Sequence, residues 1–393
     1  MISQKQLLLR KVKSIVGVGA GGVLAFGGIG LWTGNEKFFK QFVSPVLDRI
    51  DPEFSHRAAV SMARFGFIRA ACDGDSPNLQ IKIANMQLSN PVGLAAGFDK
   101  SAECVRGMAK IGLGWVEIGS VTPRPQEGNP KPRIFRLPED NAVINRYGFN
   151  NDGKEIVRKR LQEFKQRDPN YTVGVNLGAN KDSPDRIKDY CEGVEAFSDT
   201  ADYFVINISS PNTPNLRDLQ KSESLPELLQ RVINTRNAQE RNVPIFLKVA
   251  PDLKDEDIRS ISKTVLKKES RVDGLIVSNT TISRNGLASN LKDQIGGLSG
   301  KPLEKTSTEL VGKFYKEIQG QIPIIGVGGV WSGEDAYNKI CAGASAVQMY
   351  TALVYNGPGV VTRIKKELSD LLKENGFQSV QQAVGSSHRR TDA

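Results

Sequence analysis

Past residue 80 the chain repeats one pattern, a short apolar run followed by a longer polar or amphipathic stretch. The runs are Pro91–Gly97, Trp115–Val121, Thr172–Gly178, Tyr203–Ser209, Pro244–Ala250, Gly274–Thr280, Pro323–Gly329 and Ala346–Ala352. Each has the length of a buried strand, and most are rich in Val and Ile. Helix-like segments stand between them, among them Lys154–Gln166, Pro226–Gln239, Asp255–Lys268, Leu303–Gln319 and Gly333–Ala342. Eight strand–helix units fit a (β/α)8 barrel, an α/β fold of about 250 residues. A doubly wound sheet, usually of five or six strands, fits the count less well. The interval from Val121 to Thr172 holds Pro123, Pro125, Pro130, Pro132 and Pro138 and reads as an excursion over the barrel mouth.

Composition narrows the function classes. With 39% hydrophobic and 24% charged residues, the 393-residue chain can build a large core and is neither disordered nor collagen-like. Its net charge is +10, but Lys5, Arg10, Lys11 and Lys13 supply part of that at the N-terminus. No basic run with interleaved aromatics follows, which argues against nucleic-acid binding. Cys72, Cys104, Cys191 and Cys341 lie far apart, so neither a zinc site nor a disulfide framework is expected. With His56 and His388 the only histidines, chemistry that needs a His cluster is nearly excluded.

The N-terminus reads as a targeting and membrane segment, residues 1–35. Ser14 to Asn35 carries no charge, and its apolar heart, Ile15 to Trp32, would span about 27 Å as a helix. A basic, acid-free start before such a span resembles a mitochondrial presequence fused to a single-pass anchor. A secretory signal peptide competes, but no clear cleavage site follows. Gly17, Gly19 and Gly22 match a dinucleotide-binding spacing, yet without a preceding strand or a later acidic residue they read as part of a glycine-rich membrane helix. Residues 36–72 read as two short amphipathic helices. Phe38, Phe42, Val46 and Ile50 form one stripe, Pro52 breaks it, and Ala58, Ala59, Met62 and Ala63 start a second. Directly after an anchor, such a pair suits the entrance for a lipid-soluble ligand. The barrel is expected over residues 73–375 with its excursion at 122–171, and a tail at 376–393.

In a barrel of this kind the site lies at the C-terminal ends of the strands. Gly328–Gly329 and Tyr350–Thr351 follow the last two strands, where phosphate is often held, and the loop Gly296–Pro302 adds further glycines. Asn145, Asn176, Asn207, Asn212 and Asn279 crowd the mouth, and each offers a donor with an acceptor. That suits a heterocycle with alternating N–H and C=O groups, such as a pyrimidinedione or a flavin.

The motifs NPVGLAAGFDK, VEIGSVTPRPQEGNPKPRIFRLPED, INRYGFNNDG, VNLGAN, NISSPNT, LKVAPDL, VSNTT, GGLSGKPL, IIGVGGV and QMYTAL resemble the dihydroorotate dehydrogenase family, co-linearly from about residue 36 to 375. The membrane span and helical pair resemble its class 2 branch, mitochondrial in eukaryotes, which uses FMN and reduces ubiquinone. The resemblance implies oxidation of dihydroorotate to orotate in pyrimidine biosynthesis. It makes Ser210 the base for the C5 proton, while class 1 enzymes use a cysteine there; a serine alone is a poor base, so a hydroxyl or water relay is expected, with Thr213 the nearest candidate. It implies substrate contacts from Lys100, Asn145, Arg146, Tyr147, Gly148, Phe149, Asn207, Asn212, Asn279 and Thr280. FMN contacts are implied for Ala96, Gly97, Lys100, Ser120, Asn176, Asn207, Lys248, Ser278, Gly300, Gly329, Tyr350 and Thr351. Lys248 would face the N1/O2 edge of the ring. His56, Arg136 and Tyr350 match a quinone tunnel, expected to be separate from the substrate mouth, and Leu47 departs from some relatives. Inner-membrane lipid is the implied surface, and no obligate protein partner or metal is implied. Other readings are a different FMN barrel acting on a pyrimidine, a class 1 enzyme, or a tethered binding barrel without turnover.

Overall fold

The computed structural model describes residues 27–30, 33–70, 74–221 and 223–389. Its strands are β1 (Ile81–Ile83), β2 (Met86–Leu88), β3 (Val92–Leu94), β4 (Trp115–Val121), β5 (Ile134–Leu137), β6 (Ala142–Asn145), β7 (Thr172–Leu177), β8 (Tyr203–Asn207), β9 (Ile245–Val249), β10 (Gly274–Val277), β11 (Gly297–Gly300), β12 (Ile324–Val327) and β13 (Ala346–Met349). Strands β3, β4, β7, β8, β9, β10, β12 and β13 close into a barrel in that order, each paired in parallel with the next. They fall inside the eight apolar runs, and helices cross between them, so the barrel expected from the sequence is the fold.

The interior is built in layers because alternate residues of a strand share a face. One layer is aromatic. Trp115 lies over Gly93, Tyr203 over Gly174 and Phe246 over Gly274, and a Cβ at any of these glycines would run into the ring. Two residues further along their strands, Glu117, Asn176 and Lys248 form a polar layer with Gln348 of β13, and each is buried. Apolar runs therefore carry the site's polar floor within them.

The excursion holds more structure than its prolines foretold. β5 and β6 form an antiparallel pair, and β11 adds itself to β6, matching Gly297 with Asn145. From the sequence β11 reads as a loop. With three glycines in the five residues from Gly296 to Gly300, it shows no strand periodicity. The hairpin β1–β2 was also missed, since strands of three residues are too short to show alternation. Its Lys82 and Ala84 share a cleft with Ile322, Pro323 and Ser345, which places it at the N-terminal end of the barrel.

Two helical stretches precede the barrel. One runs from Glu36 to Leu47 through a wide π-helical turn, Phe39–Val43. The other is Pro52–Arg64, where Pro52 ends one stripe by opening the next helix and Asp51 caps it, accepting from Phe54 N at 2.8 Å. Arg363 forks onto Glu36 at 2.7 and 3.1 Å and ties the first stretch to the helix Gly359–Glu374. Ala63 packs so closely on Gly107 that a Cβ at 107 would meet its backbone. Among the described residues no helix is long and apolar enough to cross a membrane. Apart from residues 27–30 and 33–35, the expected span at 14–35 lies outside the described residues, as does Cys72. Residues 377–389 are folded onto the barrel, with Gly385 N donating to Ile340 O and His388 stacked on Tyr315.

Glu53 and Arg133 join the second helix to the excursion. Both are buried, and the guanidinium forks onto the carboxylate at 2.8 and 3.0 Å. Burial alone would push the Glu53 carboxyl up, but Arg133 and then Lys131 outweigh it and hold the group below its ordinary range. Arg133→Met should lower the unfolding free energy by about 3 kcal/mol, the cost of stranding one partner of a buried pair. The depressed carboxyl makes this contribution full above its unfolded pKa of about 4.3 and lost as pH falls through the folded value. Chemical denaturation from neutral to acid pH checks both points. A gap between wild type and variant that does not shrink in acid would contradict the assignment.

Candidate active site

One continuous cavity of about 650 Å³ opens at the C-terminal ends of the barrel strands and extends under the two helical stretches. That volume lies within the usual range for small-molecule sites. Part of its wall is apolar, with Phe38, Leu47, Ala59 and Met62 from the helical stretches and Pro358 from the far end of the chain. The rest is the strand ends with their amides, hydroxyls and lysines.

The amides form one connected set. Asn207 Nδ2 donates to Ser120 Oγ at 2.9 Å and to Asn176 Oδ1 at 3.1 Å, and Ser120 Oγ donates to the same Asn176 oxygen. Asn279 Nδ2 donates to Asn207 Oδ1 at 3.2 Å and to Ser209 Oγ at 2.9 Å. Thr280 N donates to Asn279 Oδ1 at 2.8 Å. Across the mouth, Asn212 Nδ2 donates to Asn145 Oδ1 at 3.4 Å, which links the Ser210 loop to the end of β6. Such bonding fixes which face of each amide is left for a ligand.

Ser210 is buried on the cavity wall, and its hydroxyl accepts from Asn212 N at 3.2 Å. No hydrogen bond among the described residues joins it to Thr213, the relay expected from the sequence. Lys100 Nζ donates to Gly97 O at 2.6 Å and lies 4.0 Å from the centre of the Tyr147 ring. Burial, and then the neighbouring Arg133, bring its ammonium down to about 7, against the pull of Glu53 and Asp99. Lys248 Nζ stands 3.5 Å from Glu117 on the cavity floor.

His56 differs from expectation in one respect. Its Nδ1 lies 2.9 Å from the Tyr147 hydroxyl and its Nε2 lies 2.8 Å from Phe98 O. Only a ring N–H can serve the carbonyl, so Nε2 donates and Nδ1 accepts from Tyr147. Burial, and then Lys100, lower the imidazole to about 4, which keeps it neutral. Arg136 donates to Leu47 O at 2.5 Å, to Ile50 O at 3.2 Å and to Ser55 Oγ. Tyr350 completes the group, with its ring 6.5 Å from His56. The quinone-tunnel and substrate sets touch where Tyr147, from the segment expected over the substrate, bonds directly to His56.

Two expected contacts do not reach the wall. Arg146 turns outward to Pro132 O, Gln294 and Ile295 O and packs over Phe135. Asn176 sits behind Ser120 and Asn207, fully buried. The other expected contacts, including Gly148, Phe149, Ser278 and Thr351, line the cavity. Sequence reasoning overlooked Glu117 and Gln348. The one available signal was a carboxylate inside the otherwise buried run Trp115–Val121.

The residues present fit a flat, phosphate-bearing heterocycle. Gly97 adopts φ +104°, and a Cβ there would point into the space between the Tyr350 ring at 3.5 Å and Lys100 Nζ at 3.8 Å. Gly300, Gly328 and Gly329 all have positive φ and line the same cavity beside Thr351. Gln348 Oε1, buried on the floor, has no protein partner.

A family model described as dihydroorotate dehydrogenase matches residues 78–372. The mitochondrial dihydroorotate dehydrogenase (quinone) of Mus musculus is 48% identical, covering 98% of this chain and 99% of that protein. The enzyme of that name from Agrobacterium fabrum is 48% identical over 84% of this chain and 91% of its own. A crystal structure of the Eimeria tenella enzyme in complex with ferulenol superposes with a TM-score of 0.83 at 42% identity, covering 86% of this chain and 96% of that one. With the barrel, the amide-lined mouth and these matches in agreement, the chain belongs to the dihydroorotate dehydrogenase family, on its quinone-dependent branch.

Proposed function

We propose that the chain oxidises dihydroorotate to orotate and delivers the electrons to a quinone, with FMN held at the cavity floor. The observation that carries this reading is one cavity with two kinds of wall, amides and lysines at the strand ends and apolar side chains under the helices. FMN, when bound, supplies the acceptor for the hydride leaving substrate C6 and the route for its two electrons to the quinone.

The protein's own groups do the rest. Asn145, Asn207, Asn212 and Asn279 hold the pyrimidine ring, each with a donor and an acceptor. Thr280 joins them, and Lys100 faces the substrate carboxylate. Ser210 Oγ takes the C5 proton while its own hydroxyl proton passes to water at the cavity mouth, and the hydride departs from C6, leaving the new double bond. Tyr147 and Phe149 close over the ring and exclude water. Ala96, Gly97, Ser120, Lys248, Ser278, Gly300, Gly329, Tyr350 and Thr351 hold the cofactor, with Asn176 orienting Ser120 and Asn207 from behind. His56, Arg136 and Tyr350 receive the quinone head, and the apolar faces of the helices guide its tail.

Phe54, Phe65 and Phe67 are exposed near one another in sequence at the second helix, a composition suited to lying in a lipid surface. We read residues 1–35 as the address and single-pass anchor to the mitochondrial inner membrane, in keeping with the mouse relative's name. Residues 36–72 serve as the quinone entrance, 73–375 as the FMN barrel with its excursion at 122–171, and 376–393 as a tail.

Ser210→Ala should retain flavin but slow anaerobic bleaching by dihydroorotate about 10²–10⁴-fold, the usual worth of a general base. Ser210→Cys should recover part of the rate. Stopped-flow absorbance checks both, and a wild-type rate in the alanine variant would contradict the role.

Because the Lys100 ammonium is depressed to about 7, orotate should bind the protonated form, and its affinity should fall by up to about tenfold per pH unit above that value. Titration of the flavin spectrum with orotate between about pH 6 and 9 measures this dependence. A pH-independent constant in the wild type, equal to that of Lys100→Met, would remove Lys100 from the carboxylate site.

A further inference from the structure

We propose that Glu117 is a positioning residue that sets the charge under the flavin, acting through Lys248. The proposal rests on the reading that FMN binds at the cavity floor. Glu117 is 0% exposed and does not line the cavity. Four groups from four other strands converge on its carboxylate. Oε1 accepts from Asn176 at 2.7 Å and lies 3.5 Å from Lys248 Nζ. Oε2 accepts from Gln348 at 2.6 Å and from the Tyr203 hydroxyl at 3.4 Å.

A carboxylate so placed does more than satisfy amides. An apolar residue would suffice for packing, and a neutral amide would suffice for hydrogen bonding. The negative charge beside Lys248 cancels part of the positive field that the ammonium projects onto the floor. Reduced flavin carries more negative charge than oxidised flavin, so the pair Glu117–Lys248 fixes how strongly the floor favours reduction. The barrel interior holds both charges rigidly, so the setting costs no reorganisation during turnover.

The test is the midpoint potential of bound flavin in wild type and Glu117→Gln, measured by dye-coupled anaerobic titration. The substitution keeps the size and the acceptor for Asn176. The buried, unpartnered Gln348 Oε1 can turn to accept the new N–H. Loss of the carboxylate should favour reduced over oxidised flavin roughly tenfold, a rise of about 30 mV for a two-electron couple. An unchanged potential in a folded, yellow variant would overturn the proposal and leave Glu117 as a hydrogen-bonding residue. If Glu117→Gln does not fold, the double variant Glu117→Gln/Lys248→Met decides by circular dichroism. Recovery of the folded barrel supports the charge coupling, since the stranded ammonium has been removed, and failure to recover overturns it. A colourless wild type would instead refute the flavin reading itself.

Discussion

A carboxylate and an ammonium buried inside a barrel need each other. Glu117 cannot hydrate, Lys248 reaches only the cavity floor, and their separation of 3.5 Å is fixed by two strands that are not neighbours in the sheet. The polar layer follows from this constraint. Asn176 and Gln348 complete the carboxylate's bonds, Asn176 then orients Ser120 and Asn207, and Asn207 accepts from Asn279. A chain of bonds thus runs from the buried pair to the amides of the mouth. The aromatic layer below closes the barrel under the pair, because Trp115, Tyr203 and Phe246 each cover a glycine of the adjacent strand.

Above that floor the cavity presents two kinds of wall. The strand ends offer donors and acceptors, and the helices over 36–64 offer hydrocarbon. Tyr147 and His56 meet where these surfaces join. A neutral imidazole held by a carbonyl on one side and a phenol on the other is a rigid strut. The substrate cover and the helical entrance are therefore mechanically connected. Glu53 and Arg133 brace the same junction from outside the cavity.

The barrel was legible in the sequence because eight buried strands leave eight apolar runs, and no other short signal competes with them. The asparagines and lysines of the site were legible because they stand near or beyond the C-terminal ends of those runs, where a barrel carries its site. Glu117 and Gln348 were not, since each stands within an apolar run, where only knowledge of the inward face separates a catalytic floor from a packed core. β11 escaped notice because glycine erases strand periodicity. The outward turn of Arg146 depends on Gln294 and Ile295, far away in sequence, so neighbouring motif residues could not reveal it.

The central proposal is that a flavin on the cavity floor takes electrons from dihydroorotate and passes them to a quinone. Anaerobic reduction by dihydroorotate, followed by mixing with alternative acceptors, tests it most directly. The account predicts that flavin colour bleaches with dihydroorotate and returns with a short-chain quinone, while fumarate and NAD⁺ leave it bleached. Reoxidation by fumarate or NAD⁺ but not by quinone would contradict it.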